Sequence, residues 1–308
     1  MRQTLFVPFA FLLSVAIALS ANAAPPGETT VSVKFRTIQD FLVIVPIAIN
    51  GAGPFNFLLD TGASRSVVDR KIADQLSLPC VAQSIAVGAE GTTSVSLVHV
   101  NSVSMGGSTV PGLTLTLLPQ SASLPEKVSG VLGEDFLERF DLLLDYRHHV
   151  IELQSGDGPL AEALAGERLP IRLQGRTEAG PEFGRLILSA HAPELGRGEV
   201  SLLLDSGVNF LVLFGGRQSL GAGAIQQKLD IASPVQSSSG VPVFSRTINE
   251  LRLGNKIVRN LTAFALPARP GMDTDGFMPT SAFGSIFISH SQKFVILDPT
   301  TPTARRGK

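Results

Sequence analysis

The chain has 308 residues, 44% of them hydrophobic and 17% charged, with 25 Lys and Arg against 26 Asp and Glu for a formal net charge of −1. That balance excludes a disordered chain and provides no electrostatic attraction to nucleic acid or anionic lipid. One cysteine, Cys80, excludes an internal disulfide, so stability must come from core burial in one large or two smaller domains.

The first segment, residues 1–23, reads as an export signal. Arg2 supplies the positive start, Leu5 to Leu19 the apolar run, and Ala21-Asn22-Ala23 a small-x-small cleavage site. The run is short for a membrane span, so cleavage would leave no stable membrane insertion and an exported protein, periplasmic or secreted. An uncleaved N-terminal anchor is the alternative. Removal of the segment leaves 24 basic against 26 acidic residues, a balance of −2.

From there the pattern is mostly strands. FLVIVPIAI (41–49), TSVSLVHV (93–100) and LTLTLL (113–118) are β-branched and Leu-rich runs cut by Gly, Pro, Asn and Ser turns. Helical signal is brief: SVVDRKIADQLSL (66–78), GEDFLERF (133–140) and GPLAEALAGERL (158–169). Cys80, in LSLPCVAQ, reads as a buried strand start, without the base or electropositive surroundings a nucleophile needs.

The stretch FNFLLDTGASRSVVD (55–69) drives an apolar strand into Asp60, Thr61 and Gly62, although a buried carboxylate is costly unless paired, hydrogen-bonded or protonated. The second half repeats it. EVSLLLDSGVNFLVLF (199–214) sets Asp205, Ser206 and Gly207 after another apolar strand, 145 positions after Asp60. GVLGEDF at 130–136 is answered by GFMPTSAF at 276–283, and residues 103–119 can be laid on 251–267. One Asp-Ser/Thr-Gly is an ordinary turn; two inside one large repeat point to a site.

The motif LLDTGAS (58–64), followed some seventy residues later by Val131-Leu132-Gly133, resembles the retropepsin-like aspartic peptidases. Because the unit occurs twice, the chain resembles a two-lobed aspartic peptidase in one polypeptide, comparable in layout to the pepsin group. The resemblance implies an all-β fold of two homologous acid-protease-type β-barrel lobes with short helices and the active site between them. It places an N-terminal lobe at 24–157, a linker at 158–169, a C-terminal lobe at 170–300 and a disordered tail at 301–308.

It further implies Asp60 and Asp205 as catalytic residues, brought together at a pseudo-two-fold axis. Carboxylates about 3 Å apart share one proton, so one can act as base on a water and the other as acid toward a peptide carbonyl. Thr61 and Ser206 would bond across to the opposite loop, and Gly62 and Gly207 would allow close approach. The implied partner is a polypeptide in extended conformation, met by a monomer with no cofactor. Alternatives are a peptide- or protein-binding relative without turnover, and a site formed by dimerisation of lobe one.

Lobe two departs from the pattern, with Val208 after the glycine and Phe277-Met278-Pro279 where lobe one has Val131-Leu132-Gly133. Pro279 fixes φ and removes a donor, so that strand is expected to bend differently from its counterpart. Neither Ala63 nor Val208 brings a hydroxyl to the dyad, which predicts a less acidic pair and activity in mildly acidic to near-neutral buffer. Substrate flaps are expected at Ala89, Glu90 and Gly91 and at Ser238, Ser239 and Gly240, or these are ordinary hairpin turns. His148 and His149 read as a strand-to-strand turn, His99, His191 and His290 as isolated, and no metal site is expected.

Overall fold

A computed structural model describes residues 4–6, 30–88, 91–118, 124–156, 158–174, 185–232, 237–268 and 274–300. The described residues form three sheets, of eight, nine and six strands.

The eight-stranded sheet belongs to the first half. Its order runs Arg36–Ile38, Leu42–Ile49, Ala52–Leu59, Gly130–Leu132, Val67–Val68, Ser108–Leu117, Gly91–Met105 and Cys80–Gly88. A further pairing, Ala48 with Ser104 and Ile49 with Val103, bends the sheet back on itself. The second half repeats the order in the nine-stranded sheet: Arg172–Gln174, Arg185–Ala190, Val200–Asp205, Gly276–Pro279, Leu211–Phe214, Lys256–Leu266, Ser237–Leu253 and Ile225–Ala232. An isolated bridge from His191 to Arg252 stands where the first sheet closes. Thr4–Phe6 runs parallel to Ile225–Ala232 as the ninth strand.

These strands form because apolar side chains alternate toward enclosed faces. In Leu42–Ile49, Val43, Val45, Ile47 and Ile49 enter the main core with Phe57 and Leu59, while Leu42 and Ile44 join a smaller cluster with Leu58, Ala63, Val67 and Val131. The second half has its own smaller cluster, which includes Ile187, Leu203, Val208, Val212 and Phe277. The helix Arg70–Gln75 is capped by Asp69, whose carboxylate accepts from the Lys71 N–H at 2.7 Å.

The third sheet is shared by the halves. Thr30–Lys34, Val150–Gln154 and Asp141–Asp145 from the first meet Ser285–Ser289, Phe294–Leu297 and Leu169–Pro170 from the second. Its central pairing is antiparallel, Leu142 with Ile288 and Leu144 with Ile286. One face carries Leu142, Leu144, Ile286 and Ile288 into the main core; the other packs Phe287, Phe294 and Ile296 under Leu160 and Ala161. The 158–169 segment is therefore more than a connector. Its helix Leu160–Ala163 caps an apolar sheet face, so the Ala and Leu residues expected of a linker are packing residues.

Three other expectations change. Cys80 starts the strand Cys80–Gly88 as read, but it is exposed. Pro279 does not bend its strand out of register. Leu203 pairs with Phe277 and Leu204 with Met278, matching Leu58 with Val131 and Leu59 with Leu132, and the ladder runs on to Asp205 with Pro279. The adjustment lies in the side chains. Gly133 donates its N–H to Ser66 Oγ at 2.9 Å, whereas Pro279 has no N–H and buried Leu211 occupies the place of Ser66. Ser238, Ser239 and Gly240 lie within the strand Ser237–Leu253 rather than at its turn. The register shifts there, Leu229 facing Val241 but Ile231 facing Ser238, so the glycine serves an irregularity in the ladder. Ala89 and Glu90 lie outside the described residues, and Gly91 pairs with Gly88 across the hairpin.

Candidate active site

The strand Ala52–Leu59 delivers Asp60, and Val200–Asp205 delivers Asp205, at the contact between lobes. Gly130–Leu132 runs parallel to the first, and its Leu132 carbonyl accepts from the Asp60 N–H at 3.0 Å. Each carboxylate is anchored by its own turn: Asp60 Oδ1 accepts from Gly62 N at 2.9 Å, and Asp205 Oδ1 from Gly207 N at 2.7 Å.

The turns interlock. Thr61 Oγ1 donates to the Leu204 carbonyl at 2.9 Å and accepts from Ser206 N at 3.1 Å. Ser206 Oγ donates to the Leu59 carbonyl at 2.8 Å and accepts from Thr61 N at 3.0 Å. Each hydroxyl thus satisfies one donor and one acceptor of the opposite lobe in a buried setting. Glycine permits the approach. A Cβ on Gly62 would fall 2.2 Å from Asp205 Oδ2, and one on Gly207 would fall 3.0 Å from Asp60 Oδ2. Each carboxylate therefore abuts the other lobe's glycine.

The two carboxyl groups are buried, at 3% and 0% exposure, and they act on each other. Burial raises Asp60 to about 6, against the opposing hydrogen bonds from Gly62, Asp205 and Ala63. Burial and then the charge of Asp60 push Asp205 well above the ordinary carboxylate range, while the Arg185 charge pulls it down. Such a pair retains a proton where isolated carboxylates have lost theirs, so it can offer a base and an acid together.

Behind Asp60 lies a polar network that sequence reasoning missed. Ser66 Oγ donates to Asp135 Oδ1 at 2.6 Å, Ser66 N donates to the same oxygen at 2.9 Å, and Glu134 N donates to the Ala63 carbonyl at 2.8 Å. Glu134 also reaches His290 of the second half, Oε2 to Nε2 at 3.0 Å, so His290 is not isolated. Tyr146 bonds Thr280 Oγ1 at 2.6 Å; burial raises its pKa, and the Asp205 charge adds to the rise. The available signal was two acids, Glu134 and Asp135, directly after the Val-Leu-Gly run.

The remaining candidates fall away from the dyad. His148 lies in the turn after Asp145, whose Oδ2 it meets at 2.7 Å. Among the described residues no three His, Cys, Asp or Glu side chains are grouped to hold a metal, and no helix is long and apolar enough to cross a membrane.

Residues 45–136 match the sequence model of the aspartyl protease family. The aspartic proteinase from Irpex lacteus is 13% identical over 91% of this chain and 100% of its own, with a TM-score of 0.56. The retropepsin-like aspartic protease from Rickettsia conorii is 18% identical over 42% of this chain and 92% of its own, with a TM-score of 0.31. No curated protein sequence matches. Residues 45–136 thus resemble the aspartyl protease family in sequence and the chain has the fold of an aspartic proteinase, which together support an aspartic-type hydrolase.

Proposed function

We propose that this protein is an exported aspartic endopeptidase that hydrolyses peptide bonds with a water activated between Asp60 and Asp205. The observation that carries the reading is the reciprocal bonding of Thr61 and Ser206, which fixes two buried carboxylates against each other's glycine. The ionised member takes a proton from the water, the protonated member donates to the carbonyl oxygen, and a tetrahedral intermediate forms without a covalent enzyme adduct. An Asp60 pKa of about 6 supports activity in mildly acidic to near-neutral buffer.

The hairpins Cys80–Gly88 with Gly91–Met105 and Ile225–Ala232 with Ser237–Leu253 are suited to hold an extended polypeptide by main-chain hydrogen bonds. Both aspartates come from one chain, which supports a monomer and a lobe arrangement arising by internal duplication. Asp60→Asn and Asp205→Asn, assayed on a denatured protein, test the reading. Each is expected to abolish cleavage in a folded protein of monomer mass, and full activity of Asp205→Asn overturns it. Export is tested by the N-terminus of the mature protein, expected at Ala24.

A further inference from the structure

The strand Arg185–Ala190, RLILSA, opens an apolar run with a charge, and Arg185 is only 1% exposed. Its neighbours locate it. The antiparallel register Ala190–Val200, Ser189–Ser201, Leu188–Leu202 and Ile187–Leu203, continued two residues, sets Arg185 opposite Asp205. Directly opposed residues share a face with Cβ atoms about 4.5–5.5 Å apart. Lobe one fills the same position differently. Its register, Val45–Phe57 and Ile44–Leu58, continues to Leu42 opposite Asp60. Two carboxylates related by a pseudo-two-fold axis therefore have unlike cross-strand neighbours, a leucine and an arginine.

We propose that Arg185 is a positioning residue for the hydrolytic dyad: its buried guanidinium stabilises the singly ionised carboxylate pair and carries activity to lower pH than apolar neighbours on both sides would allow. The proposal rests on Asp60 and Asp205 being the catalytic pair. A buried cation is costly without a compensating anion, and a pair of buried carboxyl groups resists its first ionisation. At opposed positions on adjacent strands, the two charges offset part of each other's burial. With a neutral residue at 185 the pair would stay doubly protonated to higher pH and lack a base.

Among the described residues, the surroundings leave this role to Arg185. On its other side the facing residue is Gln174, which is neutral. Arg172, next on that strand, faces Ile187. On the strand Ser237–Leu253, Arg246 is bound to Glu194 and to the Leu220 carbonyl, and Arg252 to Glu250. Tyr146 also senses the Asp205 charge, and burial keeps its phenol protonated.

The test compares the pH profile of kcat/KM on a fluorogenic peptide for wild type, Arg185→Leu, Arg185→Gln and Arg185→Lys, with thermal melting of each. Leu copies the solution at Leu42; Gln keeps hydrogen-bonding capacity without charge. Both neutral variants are expected to move the acid limb upward by about one pH unit, giving roughly tenfold lower activity one unit below the wild-type midpoint. Lysine is expected to restore most of the shift. An unmoved acid limb in a folded neutral variant overturns the proposal, as does a Lys profile displaced as far as that of Leu. Persistence of cleavage in Asp60→Asn and Asp205→Asn would instead overturn the dyad itself.

Discussion

Glu134 of the first half and His290 of the second are hydrogen-bonded across the lobe interface at 3.0 Å, both buried, with His290 Nδ1 also 2.6 Å from the Phe140 carbonyl. The opposite crossing is occupied by Thr280 and Tyr146, hydroxyl to hydroxyl at 2.6 Å. Glu134 follows Gly133 and Thr280 follows Pro279, while His290 and Tyr146 each follow a central strand of the shared sheet. Two equivalent cross-lobe clasps thus differ in kind, one ionisable and one neutral.

The ionisable clasp makes stability pH-dependent. Burial raises Glu134 to about 7 from 4.5, against the His290 charge. Burial opposes protonation of His290, but the Glu134 carboxylate outweighs it and the pKa rises from 6.5. A folded-state pKa above the unfolded value gives stability that is complete below the unfolded value and lost as pH rises through the folded one. The melting temperature is therefore expected to fall from pH 4.5 through pH 7 for the Glu134 contribution, and above pH 6.5 for that of His290. Glu134→Gln, which can still accept from Nε2–H, should flatten the decline. His290→Leu, which strands the carboxylate, should cost about 3–5 kcal/mol at neutral pH. Melting curves from pH 4 to 9 check both; equal slopes in wild type and Glu134→Gln contradict the assignment.

The interlocked hydroxyls should be strongly coupled. Thr61→Ala or Ser206→Ala leaves buried donors and acceptors of the opposite lobe unsatisfied, an expected loss of about 1–3 kcal/mol each. Because the two hydroxyls serve the same four-bond lattice, the double variant should lose less than the two singles together. A denaturant-unfolding cycle measures this, with a coupling of about 0.5–3 kcal/mol expected. Strict additivity would mean that the two turns act independently.

Gly62 and Gly207 occupy equivalent places but should tolerate alanine unequally. A Cβ at 62 overlaps Asp205 Oδ2 at 2.2 Å, whereas one at 207 meets Asp60 Oδ2 at 3.0 Å, a contact that needs only a small displacement. Gly62→Ala is expected to abolish hydrolysis by moving the carboxylate, and Gly207→Ala to retain a measurable fraction. Comparing kcat/KM for the two folded variants checks the order.

Much of this geometry was legible in the sequence because it is carried by local patterns. Apolar runs ending in Asp60 and Asp205 mark strands that stop at the lobe contact, and the following hydroxyl and glycine specify the turn. What escaped depends on which distant strands become neighbours. The six-stranded sheet joins residues from positions 30 to 297, so nothing near His290 hints at Glu134. Arg185 looks like an ordinary strand-opening charge until the register brings it to Asp205. Pro279 misled for a related reason, since its missing N–H matters only if a partner such as Ser66 is there to accept it, and Leu211 is not.

The burial that makes the dyad chemically useful should also make it a weak point of the fold above mildly acidic pH. Asp60 is raised from 3.8 to about 6, so the folded protein holds this proton where the unfolded chain releases it. Its contribution to stability is complete below pH 3.8 and declines as pH rises to 6. Asn at position 60 has no charge to bury and can still accept the Gly62 N–H through its side-chain oxygen. Asp60→Asn is therefore expected to melt close to wild type at pH 4 but higher than wild type at pH 7.5, by on the order of 1–3 kcal/mol in unfolding free energy, while losing hydrolysis at every pH. A variant no more stable than wild type at pH 7.5 would show that the carboxylate is not buried at a cost, and the shared proton would then need another source.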